Sequence, residues 1–404
     1  MSFEHIIFSA TIFPLLSLGD ELLLVQTVIR HGDRAPIYEF TSPKSEKAFP
    51  RGLEQLSDQG LMNAQRQGEA FRLRYEKLQL IGERTTRDEI FVRSSPVTRC
   101  LMSAAAFGSG LVNRLGEQGE WPDIHTTSHE RKERVLIPPE SRDWRCRQLQ
   151  HYVLPANGEC KLFPIIELFI SRHPSCAPFS YYQIEAAVAE RYNDAVDLDE
   201  RLHECAKSDG RKLQYTKIAL ESGTSDHNRT AEVAGPITAL LMQNIRDATR
   251  KANLPKMRVY YTHDSLLLPL AAILDILPAF NEQTPEFSAA IVLELWKRGQ
   301  GMEVKILLKN GHVAAFDTLQ QVSIEELEKK TSKYSLPEEI QNDDQLSIIY
   351  DLDCFLADFN GRWNVSVYMV AIFGFSLVFC FILTLRSSKR PVKVRFKFPL
   401  PTPS

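Results

Sequence analysis

The sequence predicts an α/β protein with a mostly parallel central sheet, helices on both faces, an inserted helical cap domain and one C-terminal transmembrane helix. Three observations predict it. Short runs at 22–29, 90–95 and 258–262 read as strands, and each leads into a helical pattern. Residues 141–222 lose such runs and carry Pro, Cys and aromatic side chains among short helical pieces, including 182–192. Residues 365–385 run without a charge, long enough at about 1.5 Å per residue to cross a hydrocarbon core.

In chain order, 22–29 is rich in Leu, Val and Ile and reads as a strand buried on both faces. Residues 40–51 are polar and punctuated by Pro, which reads as a loop. Ser57 is a suitable N-cap for a helix carrying Leu61, Ala64, Gly68, Phe71 and Tyr75 on one face. A strand at 90–95 and a helix at 97–115 follow, the latter with Ala104, Ala105 and Ala106 marking close packing. After the cap region, Ile237, Leu240, Leu241 and Ile245 line one face of a helix at 231–252. The strand at 258–262 delivers His263-Asp264, and an apolar helix covers 266–277. Residues 289–296 and 303–308 read as paired strands around Gly299-Gln300-Gly301, with a further short strand at 313–316.

The 404 residues are 44% hydrophobic and 25% charged, which is ordinary globular composition. Net charge is -3. From Arg386 onward the chain holds six Lys or Arg and no acid, which leaves 42 basic against 51 acidic residues elsewhere. That balance, near -9, argues against a nucleic-acid partner. Residues 1–19 read as a secretory signal, with a short apolar core at 6–18 and small residues at Ser17-Leu18-Gly19. Arg386, Lys389 and Arg390 follow the apolar segment and put the tail on the cytoplasmic side. The expectation is a single-pass type I membrane protein with its folded part extracellular or in the lumen of the secretory or lysosomal pathway. Asn228 and Asn364 open glycosylation acceptor patterns. Cys380 lies in the apolar segment; the six other Cys suit up to three bridges, with the connectivity open.

Arg30-His31-Gly32-Asp33-Arg34-Ala35-Pro36 follows the first strand directly. Two planar guanidinium forks match phosphate oxygens. An imidazole stands between them, and Gly32 permits close backbone approach. The end of a strand in an α/β sheet is also where ligands bind. These residues suit a phosphate site that contains a nucleophile.

This motif resembles the signature of the histidine acid phosphatase family, the RHGxRxP branch, with the membrane-anchored lysosomal-type and prostatic-type acid phosphatases as the likeness and phytases further off. The resemblance implies hydrolysis of a small-molecule phosphate monoester through a phosphohistidine on His31. It implies that Asp264 protonates the leaving alcohol, that Arg30, Arg34 and Arg93 clamp the phosphoryl oxygens, and that His263 adds a contact. The family usually has R-S-T-D where this chain has Arg93-Ser94-Ser95-Pro96, so the Arg is kept and the Asp is not. The resemblance also implies a Cys146–Cys354 bridge and a cap that walls the substrate cleft. No cofactor and no metal are expected, because the arginines supply the positive charge; a homodimer is open to it. An acidic optimum follows from the need for a protonated Asp264.

The expected boundaries are a signal at 1–19, core at 20–140, cap at 141–229, core again at 230–350, a linker at 351–364, the membrane helix at 365–385 and a tail at 386–404. Competing readings are a phosphohistidine mutase and a catalytically inactive membrane glycoprotein that uses the fold for binding.

Overall fold

The computed structural model describes residues 20–82, 87–112, 122–128, 133, 135–137, 168–193, 196, 198–222, 224, 227–250, 254–311 and 315–335. The expected leader, membrane helix and tail, together with Cys146, Cys354 and Asn364, lie outside them. Among the described residues no helix is long and apolar enough to cross a membrane.

Among the described residues seven strands form one sheet: β1 (Asp20–Arg30), β2 (Ile90–Ser94), β3 (Ile124–His125), β4 (Met257–Thr262), β5 (Ala290–Arg298), β6 (Gly301–Lys309) and β7 (Asp317–Ser323), in the order β3-β2-β4-β1-β5-β6-β7. The first four are parallel and the remaining pairings are antiparallel. The expected "mostly parallel" sheet is therefore a mixed one. The hairpin of β5 and β6 around Gly299 was legible, and Gly299 adopts the positive φ that favours glycine. What local pattern does not reveal is that β5 runs antiparallel to β1. The last strand among the described residues lies at Asp317–Ser323; of the expected 313–316, residues 315 and 316 precede it without strand structure and 313–314 lie outside the described residues. It is an edge strand with only Val322 buried, so it carries little alternation to read.

β1 explains the two-sided core. Leu24 and Val28 enter one cluster, while Val25 and Ile29 enter the other. The second cluster is covered by α2 (Asp58–Lys77) and α3 (Thr98–Val112), through Phe71, Tyr75, Ala104 and Phe107. Ser57 caps α2 by accepting from the Gly60 amide. These helices touch backbone to backbone: a Cβ on Gly110 would lie 1.9 Å from the Gln65 carbonyl. The first cluster is covered by α7 (His227–Thr249), α8 (Asp264–Ile273) and α9 (Ile324–Ser332). Asn228 falls in the first turn of α7.

A short helix, α1 (Pro43–Ala48), interrupts the expected loop; Ser42 caps it and Pro43 sits in its first turn. A third cluster belongs to α4 (Tyr181–Glu190), α5 (Glu200–Lys207) and α6 (Asp209–Ser222). Cys176 and Cys205 form a disulfide inside it. Cys100, on α3, is a buried free thiol.

The position of β4 decides where chemistry can occur. It lies beside β1 in parallel, with Arg30 opposite Thr262. The α2 helix packs on one face of the sheet and α8, which follows β4, on the other. A crevice therefore opens beyond the C-terminal ends of these two strands.

Candidate active site

His31 and His263 each stand one residue beyond β1 and β4. Their rings are 5.5 Å apart, edge to face. The His31 amide donates to the Thr262 carbonyl at 3.0 Å, and its own carbonyl accepts from Ser288 at 3.1 Å. The turn that follows is tied to the α2 and α3 helices. Gly32 N donates to Ser103 Oγ, and Asp33 accepts from Asn63 through its side chain and from Ser57 through its carbonyl. A Cβ on Gly32 would lie 2.7 Å from the Gly60 carbonyl, and one on Gly60 would lie 2.2 Å from the Asp33 carbonyl. Two glycines thus let the motif sit directly on the start of α2.

Burial pushes the His31 imidazole well below its ordinary pKa, and Arg99, Arg30, His263 and Arg34 push the same way. The ring is neutral. Its Nδ1 lies 2.9 Å from the Gly32 carbonyl, which can only accept. Nδ1 therefore carries the proton and Nε2 keeps its lone pair. His263 is also neutral, pushed down to about 3 by burial, then by Arg99. Its Nε2 lies 3.3 Å from Ser95 Oγ and 3.6 Å from Cys100 Sγ.

Arg30 is buried over the Phe287 ring, donates to the Pro285 carbonyl and lies 2.5 Å from Asp264 Oδ2. Burial lowers the pKa of Arg30, opposed by Asp264. Burial would raise the Asp264 carboxyl, but Arg30, Arg34 and His263 hold it below the usual carboxylate range. Asp264 Oδ1 accepts from the Ser265 amide at the start of α8. Arg34 donates to Glu185 Oε1 on α4 at 3.0 Å, and the Ile37 amide donates to Oε2 of the same carboxylate at 2.9 Å.

His31, Arg30, Arg34, His263 and Asp264 thus interact with one another at the two strand ends. Arg93, near the end of β2, donates to both oxygens of the buried Glu133. The cation that acts first on both imidazoles is Arg99, in the first turn of α3. Sequence reading missed it because five residues and a strand-to-helix turn separate it from Arg93; the spacing of Arg93, Ser95, Arg99 and Ser103 was the available signal. Among the described residues no three His, Cys, Asp or Glu side chains come together in a set that could hold a metal ion.

A small cavity of about 10 Å³ borders Arg30 and Arg34, with Glu185, Arg191, Glu286 and Phe287 in its wall. Arg191 and Arg211 both pair with Glu286, and burial lowers them to about 10 and about 9.

The family model of the histidine phosphatase superfamily (branch 2) matches residues 21–151 and 185–309. The prostatic acid phosphatase of Rattus norvegicus is 25% identical over 308 residues, covering 72% of this chain and 79% of its own. The lysosomal acid phosphatase of Xenopus laevis is 26% identical over 304 residues, 71% and 68% of the two chains. Among solved structures, a Bifidobacterium longum multiple inositol polyphosphate phosphatase in complex with phosphate has the same fold, at a TM-score of 0.54 and 13% identity, covering 81% of this chain and 96% of that one.

Proposed function

We propose that this chain, which belongs to the histidine phosphatase superfamily (branch 2), is an acid phosphatase that hydrolyses phosphate monoesters through a phosphohistidine on Nε2 of His31. The observation that carries this reading is the neutral His31, with its lone pair on Nε2, among the guanidinium groups of Arg30, Arg34 and Arg99. The buried Nε atoms of Arg30 and Arg99 have no hydrogen-bond partner among the described residues, and phosphoryl oxygens would supply one.

In the first step the Nε2 lone pair forms the bond to phosphorus, the ester P–O bond breaks, and Asp264 gives its proton to the departing alkoxide. The arginines and His263 hold the equatorial oxygens where charge gathers. In the second step water attacks phosphorus, the N–P bond returns its electrons to Nε2, and Asp264 takes the water proton. Asp264 starts ionised beside Arg30. A phosphate dianion that draws on the Arg30 charge raises the Asp264 pKa and so loads the acid. Chemistry then runs best at acidic pH, which suits the lumenal or extracellular placement that the leader and the membrane segment suggest.

The test is alkaline-quench trapping during turnover of 32P-labelled p-nitrophenyl phosphate. Label should appear on His31, acid-labile and base-stable, and His31→Ala should carry none. Label on another residue, or turnover by His31→Ala equal to the wild type, would overturn the assignment.

A further inference from the structure

Glu185 reaches the phosphate cradle from outside the two strand ends. It stands in the middle of α4 and is 2% exposed. Its Oε1 accepts from Arg34 Nη2 at 3.0 Å, and its Oε2 accepts from the Ile37 amide at 2.9 Å. Both oxygens of one buried carboxylate are therefore spent on the chain where it carries Arg34 out of the strand-end turn.

The Arg34 fork is held on three sides. Nη1 donates to the Ala35 carbonyl at 2.8 Å, and Nη2 meets Glu185. The guanidinium carbon lies 5.7 Å from the centre of the Phe287 ring, the same ring that lies 4.2 Å from the guanidinium carbon of Arg30. A guanidinium presents its N–H groups in one rigid plane, so fixing both nitrogens at its tip sets the direction of the donors that remain. The Ala35 carbonyl alone would let the fork swing about a single bond. Both members of the ion pair are buried, so salt screens their contact little.

The helix that carries Glu185 is itself fastened. A capping box of Ser180 and Gln183 closes its first turn. Glu190, its last residue, accepts from the Thr41 amide and hydroxyl. Arg191, the next residue, lies 3.3 Å from Glu286, which precedes Phe287 in the chain.

We infer that Glu185 is a positioning residue for phosphoryl transfer: its carboxylate aims the Arg34 fork at the phosphoryl oxygens. The inference rests on the phosphatase reading and deepens it, because the clamp then depends on a carboxylate of α4 as well as on the strand ends. Glu185 touches no substrate and acts through Arg34.

The test is a double-mutant cycle on the full chain, read by p-nitrophenyl phosphate turnover and, separately, by the Kd of inorganic phosphate from calorimetry. Glu185→Gln keeps the side-chain shape but offers one acceptor oxygen to two donors. It should lower kcat/KM and weaken phosphate binding by about 10- to 100-fold, the scale of a misaimed donor. In an Arg34→Met background the same change should cost less than about twofold, because the group it acts through is gone. Glu185→Asp keeps both oxygens and should fall between Glu185→Gln and the wild type; the cycle is run on it as well, and decides the matter if Glu185→Gln does not fold. Glu190→Gln loosens the same helix from Thr41 and should keep the wild-type phosphate Kd. Equal losses for the Glu185 variants in both backgrounds, no loss in either, or a matching loss from Glu190→Gln would each overturn the positioning role. A wild-type chain that bound phosphate with this dependence on Glu185 yet turned over no ester would support the positioning role and overturn the phosphatase reading.

Discussion

The Arg30 guanidinium lies 2.5 Å from the Asp264 carboxylate, and each partner of that ion pair governs what the other can do. Arg30 keeps Asp264 ionised in the free protein, and Asp264 opposes the pull of burial on Arg30. A phosphoryl group that engages Arg30 changes both terms at once.

The pH profiles should therefore separate. The alkaline limb of kcat/KM reports the free protein and should fall at low pH, because Asp264 is held down there. The limb of kcat reports the bound state and should lie at higher pH. Asp264→Asn should slow an alkyl phosphate by about 10²- to 10⁴-fold, the usual worth of a proton donor. It should slow p-nitrophenyl phosphate less, since that leaving group departs readily as an anion. Steady-state kinetics between pH 3 and pH 8 check this (the range is about that of the two limbs). Coincident limbs would contradict it.

Arg99 and Arg93 should fail in different ways. Arg99→Met removes the cation that acts first on both imidazoles, and should cost roughly 10²- to 10³-fold in kcat and weaken inhibition by phosphate. Arg93→Met leaves Glu133, whose Oε1 still accepts from the Val135 and Leu136 amides, without its counter-charge. It should lower stability by roughly 1–3 kcal/mol and leave the phosphate inhibition constant near wild type. Urea unfolding beside inhibition kinetics distinguishes the two; a shared kinetic defect would return Arg93 to the cradle.

Stability should drop in acid because of the two imidazoles. His31 and His263 stay neutral in the folded chain, His263 down to about 3, while an unfolded His takes a proton near pH 6.5. Below that point the unfolded state binds more protons, so stability falls as pH falls. His31→Ala should flatten the fall in urea midpoint between about pH 7.5 and pH 5. Saturating inorganic phosphate should raise the wild-type midpoint, because it binds the folded state. A variant with the wild-type slope would show that His31 is charged when folded.

What the sequence disclosed was local, and what it hid was relational. The run into Arg30 and the His263-Asp264 junction both carry apolar residues and a break on adjacent positions, so strand ends and candidate chemistry were readable together. The direction of β5 against β1 depends on a pairing between segments far apart in the chain, and no periodicity encodes it. Arg99 became visible only when α3 turned back over the strand ends. Glu185 was hidden for the same reason: it lies 151 residues from the Arg34 it holds.

The last prediction concerns the contact that lets the phosphate motif rest on α2. A methyl group on Gly60 would lie 2.2 Å from the Asp33 carbonyl and 2.8 Å from the Asp33 amide nitrogen. Both are backbone atoms, so no side chain can swing aside. Gly60→Ala must push the 30–36 turn away from the helix, and His31 and Arg34 move with it. An ångström of misplacement can cost about 10²-fold in rate, so kcat/KM should fall by that order even in folded protein. Gly82→Ala is the matched comparison, because a methyl there meets nothing within 4 Å. It should keep wild-type kinetics. If Gly60→Ala folded with full activity, the turn would have to tolerate displacement, and the preorganised cradle would not be needed for catalysis.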